Sequence, residues 1–287
     1  MSLNFKPLSL IAVLSLAAGC ATHIPVQKES AALNLNYHSS TRGEATGKVI
    51  AIISPEFIKD NDLASVRLAN QPGVVPNPLL MAMIAAQQSV QRPYANTAFQ
   101  EYQPRLRMAM QGSIEEMLSN RGFKAKGPYT TLDDISYIDK KGLYLVSLPK
   151  ITLFFDERIT RQECKSRGLL CTVEGNFTVT GELMYRLIEP LTGQALLTKR
   201  IDLSGLNISK AYRKEYQARN TSSGLDGALI DKAVAPDILR DNSDRVLVEA
   251  TNEFYQMAMA KIDNLLSREE MLSFEKDIEQ LKSSKHF

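Results

Sequence analysis

The chain has 287 residues, with 34 basic and 32 acidic side chains, a formal net charge of +2 and 44% hydrophobic residues. That balance supplies no broad cationic surface for nucleic acid. The apolar share is large enough for a packed core rather than a disordered chain.

The first twenty residues carry the strongest signal. Lys6 precedes an apolar stretch, Leu8 to Ala18, that ends in Leu16-Ala17-Ala18-Gly19-Cys20. A positive start, an apolar core of this length and small residues before a cut define an export signal. The stretch is too short to remain as a membrane-spanning helix. The pattern predicts a lipoprotein: a diacylglycerol on the Cys20 thiol, cleavage after Gly19, and acylation of the new amino terminus. Each buried methylene contributes about 0.8 kcal/mol, so more than one chain makes a stable anchor. Ala21, rather than an aspartate after the cysteine, favours an outer-membrane destination. An ordinary secreted protein with a chance cysteine at the cut is the alternative.

Residues 1–19 are therefore expected to be removed, and 20–47, polar and rich in Ser, Thr, Asn and Gln, to act as a lipidated tether. A single α+β domain over 48–287 follows. Lys48 to Ile53 is a nearly continuous apolar run that suits a strand buried on both faces. From about 55 to 100 the chain carries Pro72, Pro76, Pro78 and Pro93 around an apolar segment at Leu79, which predicts an insertion. A helix is expected from Pro104, acceptable at a first helical position, to Arg121, with Leu106, Met110, Ile114, Met117 and Leu118 as its core stripe and Gly122 as its stop.

Leu143 to Phe155 reads as a strand interrupted at Pro149, and Val173 to Ile188 as a long strand with one wet face. Glu189-Pro190-Leu191-Thr192-Gly193 supplies a turn, and Ala195 to Leu203 returns as a hairpin partner. After a polar stretch from Ser204 to Asn242, a second long helix begins near Ser243, and a charged C-terminal helix spans about Glu269 to Lys282. This order predicts an antiparallel sheet with long helices packed on one face.

Catalytic chemistry finds no footing. His23, His38 and His286 lie near the mature ends, and no phosphate loop, zinc-protease motif or calcium loop is present, so no catalytic residue, metal or cofactor is assigned. With Cys20 lipidated, Cys164 and Cys171 remain as a pair. A disulfide, two free thiols and a metal site are the readings left open, the last with poor ligand spacing. Their connection also holds Arg158, Thr160, Arg161, Gln162, Lys165 and Arg167. Arginine forks suit the carboxylate of a sialic acid. A solvated loop whose charges serve solubility is the alternative.

Several patches together resemble the neuraminyllactose-binding hemagglutinin family of surface lipoproteins. They are Leu35-Asn36-Tyr37-His38, Gly142-Leu143-Tyr144-Leu145, Leu187-Ile188-Glu189-Pro190-Leu191-Thr192-Gly193, Asp202-Leu203-Ser204 with Leu206 and Ile208, and the tail Ser273 to Lys282. The resemblance implies a lipid-anchored outer-membrane adhesin, surface-exposed or on a flagellar sheath, that binds sialylated glycans. The family's sialic-acid segment falls on Glu157 to Gln162, where Arg158 coincides directly and Thr160 and Gln162 correspond after a shift. Cys164, Cys171 and the insertion are not part of the family pattern. A periplasm-facing accessory lipoprotein with an assembly or transport role is the competing expectation. The sequence leaves the oligomeric state open.

Overall fold

A computed structural model describes residues 27–29, 31–58, 95–165, 170–217 and 237–284. Cys20 and the proline-rich segment around Leu79 lie outside the described residues. In chain order the strands are β1 (Gln27–Lys28), β2 (Val49–Ile53), β3 (Glu56–Phe57), β4 (Lys124–Tyr129), β5 (Leu145–Lys165), β6 (Leu170–Ile188), β7 (Ala195–Asp202), β8 (Ser209–Gln217) and β9 (Asp237–Asp241). The helices are α1 (Ala95–Asn120), α2 (Tyr137–Gly142), α3 (Ser243–Leu265), α4 (Arg268–Ser273) and α5 (Glu275–Ser284).

These strands form one sheet in the order β1-β9-β8-β6-β5-β2-β4, with β3 added beside β5 and β7 beside β6. The expected antiparallel pairing holds for the β5–β6–β7 and β6–β8–β9 ladders. Parallel pairs β2–β4, β2–β5, β3–β5 and β1–β9 complete a mixed sheet. The fold is α+β, as the element order predicts.

The β5–β6 hairpin is the axis of the molecule. In its first half, here the body, odd-numbered side chains such as Ile151, Leu153, Phe155, Leu183, Tyr185 and Leu187 turn into the main core. The apolar stripes of α1 and α3 cover them, through Leu106, Met110, Ile114 and Leu118 on one helix and Leu247, Phe254 and Ala258 on the other. Burying each such side chain stabilises by about 1.5–3 kcal/mol before entropy is subtracted. β2 is buried on both faces, as its apolar run predicts. Ile50 and Ile52 join the main core, while Ala51 and Ile53 join Ile135, Leu143, Val146 and Ile188 in a smaller core on the opposite face.

α1 starts earlier than the expected Pro104, at Ala95, and carries Pro104 in its interior. An interior proline costs about 3 kcal/mol. Phe99, one turn before it, packs against Phe57 and Phe155 with ring centroids 6.2 Å and 5.2 Å away, and this tertiary contact offsets part of that cost. α3 starts at Ser243 as expected, but the cap comes from outside the helix: the Asp241 carboxylate accepts the Ser243 N–H at 2.8 Å. The C-terminal helix is two helices with a break at Phe274, and Met271 and Ile278 are its buried anchors.

From Ala31 onward the polar segment expected to be a lipidated tether is docked along α3. Asn34 N–H donates to the Asn252 amide oxygen at 2.8 Å, and Asn252 and Gln256 donate to the Ala32 and Asn36 carbonyls at 3.0 Å and 2.7 Å. Tyr37 and Ser39 both donate to Asp263 at 2.9 Å. The same carboxylate pairs with Arg121 at 2.7 Å. Arg121, only 3% exposed, also donates to the carbonyls of Met117, Asp263 and Leu266, closing the ends of α1 and α3 together. Burial and Asp263 push the Tyr37 hydroxyl up to about 12. A polar segment can dock in this way because its side chains satisfy hydrogen bonds rather than bury apolar area.

Candidate functional site

The segment between residues 156 and 172, expected as a connection, is almost entirely strand: β5 continues to Lys165 and β6 begins at Leu170. The hairpin therefore extends beyond the body as an arm. There β8 flanks β6 and β9 flanks β8, while β7 flanks β6 only in the body. One arm face packs on the start of α3 through Val173, Phe177, Tyr212 and Val246. The opposite face bears mainly polar and charged side chains, with Ala211 and, at its outer end, Leu170 the apolar exceptions, and no described element is packed over it.

A bulge decides which residues share that bare face. Arg158 pairs with Asn176 and Ile159 with Gly175, but the next pair is Arg161 with Glu174, so Thr160 is an extra residue. Strand alternation alone would place Arg158 and Arg161 on opposite faces, and one inserted residue resets it. Arg158, Arg161, Glu163, Thr172, Glu174 and Asn176 consequently lie together, joined by Arg213 and Glu215 from β8. The Thr160 hydroxyl donates to the Glu174 carbonyl at 3.2 Å, closing the bulge. Gln162 turns to the packed face, where its amide donates to the Tyr216 hydroxyl at 3.2 Å. Of the four residues expected at the site, Arg158 and Arg161 are thus brought to one face, Thr160 forms the bulge between them, and Gln162 is taken away.

On the bare face Arg161 meets Glu163 at 2.5 Å, and Arg213 meets Glu215 at 2.8 Å and Glu174 at 3.5 Å. Arg158 is exposed and makes no ion pair among the described residues. Arg161, Glu163, Thr172, Glu174 and Arg213 line a shallow cleft of about 230 Å³. The Arg161 side chain is 60% exposed, so its ion pair is worth little and exchanges readily for another carboxylate.

Beneath this face the arm is pinned. Tyr212 stacks on Phe177 at 4.7 Å and donates to Glu157, which Lys214 approaches at 3.8 Å. Burial, reinforced by Glu157, raises the Tyr212 pKa and keeps the hydroxyl a donor. Gly175, opposite the bulge, is required by close approach: a Cβ there would lie 2.6 Å from the Tyr212 oxygen and 2.7 Å from the Arg158 carbonyl. At the far end Cys164 is the register partner of Cys171, and Cys171 is disulfide-bonded.

Sequence reasoning missed Arg213 because β8 contains no apolar run. Its trace was the alternation of Tyr212, Lys214 and Tyr216 with Arg213 and Glu215. Among the described residues no group of three or more His, Cys, Asp or Glu is placed to hold a metal, and no helix is long and apolar enough to cross a membrane.

Fold and site together define an α+β domain whose helix-backed sheet extends into an arm with an open polar face. A family model for the neuraminyllactose-binding hemagglutinin precursor matches residues 89–285, and the chain belongs to that family, as the resemblance in its sequence predicts. It is 25% identical over 283 residues to a neuraminyllactose-binding hemagglutinin of Helicobacter pylori strain ATCC 700392 / 26695, covering 96% of this chain and 92% of the relative. A second Helicobacter pylori protein of the same name is 25% identical over 281 residues, covering 95% of this chain and 91% of that one. The crystal structure of a Helicobacter pylori homolog of that hemagglutinin aligns with 85% of this chain and 99% of its own, at 13% identity and a TM-score of 0.49. The relatives are named as binding hemagglutinins, not as enzymes, and the kinship supports a related, adhesin-like function.

Proposed function

We propose that this protein is an outer-membrane lipoprotein adhesin, anchored through Cys20, that recognises a sialylated glycan on the bare face of its arm. The observation that carries the reading is the convergence of Arg158, Arg161 and Arg213 on one uncovered face, with Thr172, Glu174 and Asn176 between them. A sialic acid offers one carboxylate and several hydroxyls. Arg158 and Arg161 supply charge-assisted donors to the carboxylate, and the glutamate, amide and hydroxyl groups beside them match the sugar hydroxyls. The names of the relatives point to the same ligand class. A disulfide joining Cys164 to Cys171 would hold the end of this face in register.

The test is titration of purified mature protein with sialyllactose and lactose. Saturable preference for sialyllactose is expected, and Arg161→Ala or Arg158→Ala weakens it by about tenfold to a hundredfold. Equal binding of the two sugars, or loss of preference in neither variant, refutes the glycan reading. Protease shaving of intact cells tests surface display: a domain protected until the envelope is broken belongs to the periplasm instead.

A further inference from the structure

The structure fixes where the chain enters the domain, and this determines which end of the molecule can reach the membrane. β1 is the point of entry. Gln27 pairs with Arg240, Arg240 with Glu215, Glu215 with Thr172, and Thr172 with Glu163, so five strands lie abreast in one row at the outer end of the arm. Glu29 secures that entry, its N–H donating to the Asp241 carbonyl at 3.3 Å and its carboxylate meeting Arg245 at 2.9 Å. From Ala31 the chain is held along α3 toward the body, so it contributes no slack.

We infer that the lipidated protein stands with the outer end of its arm toward the bilayer and its body, with α2 and β4, pointing away. The inference rests on the Cys20 anchor proposed above and is independent of any sugar. Gln27 follows Cys20 by seven residues, and seven residues span at most roughly 25 Å. Glu163, in the row of Gln27, is separated from Leu145 at the body end by eighteen residues of β5, or roughly 60 Å at about 3.3 Å per residue. The leash is too short to let the body end face the membrane. Had residues 20–47 been loose, roughly 95 Å of chain would have left the orientation free. Lying flat is opposed by surface chemistry. The bare face exposes Arg158, Arg161 and Glu163, and the docked segment exposes Asn34, Asn36 and His38, so neither side offers the apolar stripe of a membrane-lying surface. The upright stance presents the bare face edge-on to the membrane, open to ligands arriving from the side.

The chain contains no tryptophan, so single reporters can be placed without background. Leu170 at the arm end is 39% exposed, and Ile138 on α2 at the body end is 82% exposed. Leu170→Trp and Ile138→Trp are made in the full-length protein, acylation of Cys20 is verified by intact mass, and the product is reconstituted into phosphatidylethanolamine–phosphatidylglycerol vesicles carrying dansyl-phosphatidylethanolamine. Energy transfer from Leu170→Trp is expected to exceed that from Ile138→Trp several-fold. A long Gly/Ser insertion between Thr22 and His23 should erase most of the difference. Equal transfer at the two positions, greater transfer from Ile138→Trp, or a difference that survives the insertion overturns the inference while leaving the anchor intact. An unacylated Cys20 removes the anchor itself and the inference with it.

Discussion

Body and arm belong to one continuous hairpin, yet they are held by different means. In the body the sheet is covered on both faces, by α1 and α3 on one side and by the small core of Ile135, Leu143 and Val146 on the other. In the arm a cluster of four buried residues covers one face and the other stays open. The body derives its stability from buried area. The arm depends on features that fix register: a bulge, a glycine under Tyr212, and a cross-strand cysteine pair. A face held flat without being covered remains available to a ligand, and that availability is what the thin packing of the arm secures.

The sharpest break is expected in the body. Arg121→Ala leaves Asp263 buried without its cation, and the whole domain should lose about 3–5 kcal/mol, read as a lower urea midpoint with an unchanged slope. A change confined to the arm would contradict the division of labour between body and arm. Next, the double variant Cys164→Ser/Cys171→Ser should lose about 2.5 kcal/mol on the chain-entropy model, with faster amide exchange in the outer parts of β5 and β6 and little change in α1 or α3. Exchange that spreads evenly into the body would show that the two regions open as one.

Gly175→Ala forces Tyr212 or the Arg158 carbonyl to move and should cost about 2 kcal/mol, again within the arm, with sialyllactose binding weakened if the bulge is what aligns Arg158 with Arg161. Unchanged exchange at β8 would show that the close approach at Gly175 is relieved without loss. The smallest effect concerns the docked N-terminal segment. Tyr37 has a folded pKa near 12 against an ordinary 10.0, so its stabilising contribution is fully present below pH 10 and is lost as pH rises through about 12. The stability difference between the natural chain and Tyr37→Phe should be constant below pH 10 and vanish above that window. A difference that persists to pH 12 would exclude the hydroxyl as its source.

How much was legible follows from how each element is held. Val173 to Ile188 was plain because one parity is apolar throughout and stays buried. The helices were plain because Leu106 to Leu118 and Leu247 to Phe254 repeat at helical spacing. β4, β8 and β9 were hidden, since sequences such as Lys124-Ala125-Lys126-Gly127 contain no apolar run and form strands only because neighbours offer backbone partners. The site was half visible. Arg158 and Arg161 stood out as a cluster, but the segment looked like a loop, because its bare-face side chains are polar, its packed-face positions include Glu157 and Gln162, and Thr160 shifts the alternation partway along.

By itself, the sequence determined the α+β class, the family kinship and the core stripes, because burial periodicity and local turn chemistry are written residue by residue. Only the tertiary structure decided that residues from Ala31 onward lie bound along α3, that Arg213 joins Arg158 and Arg161, and that Gln162 faces away. Those outcomes depend on backbone pairing between strands far apart in the chain and on one inserted residue, neither of which leaves an apolar pattern to read.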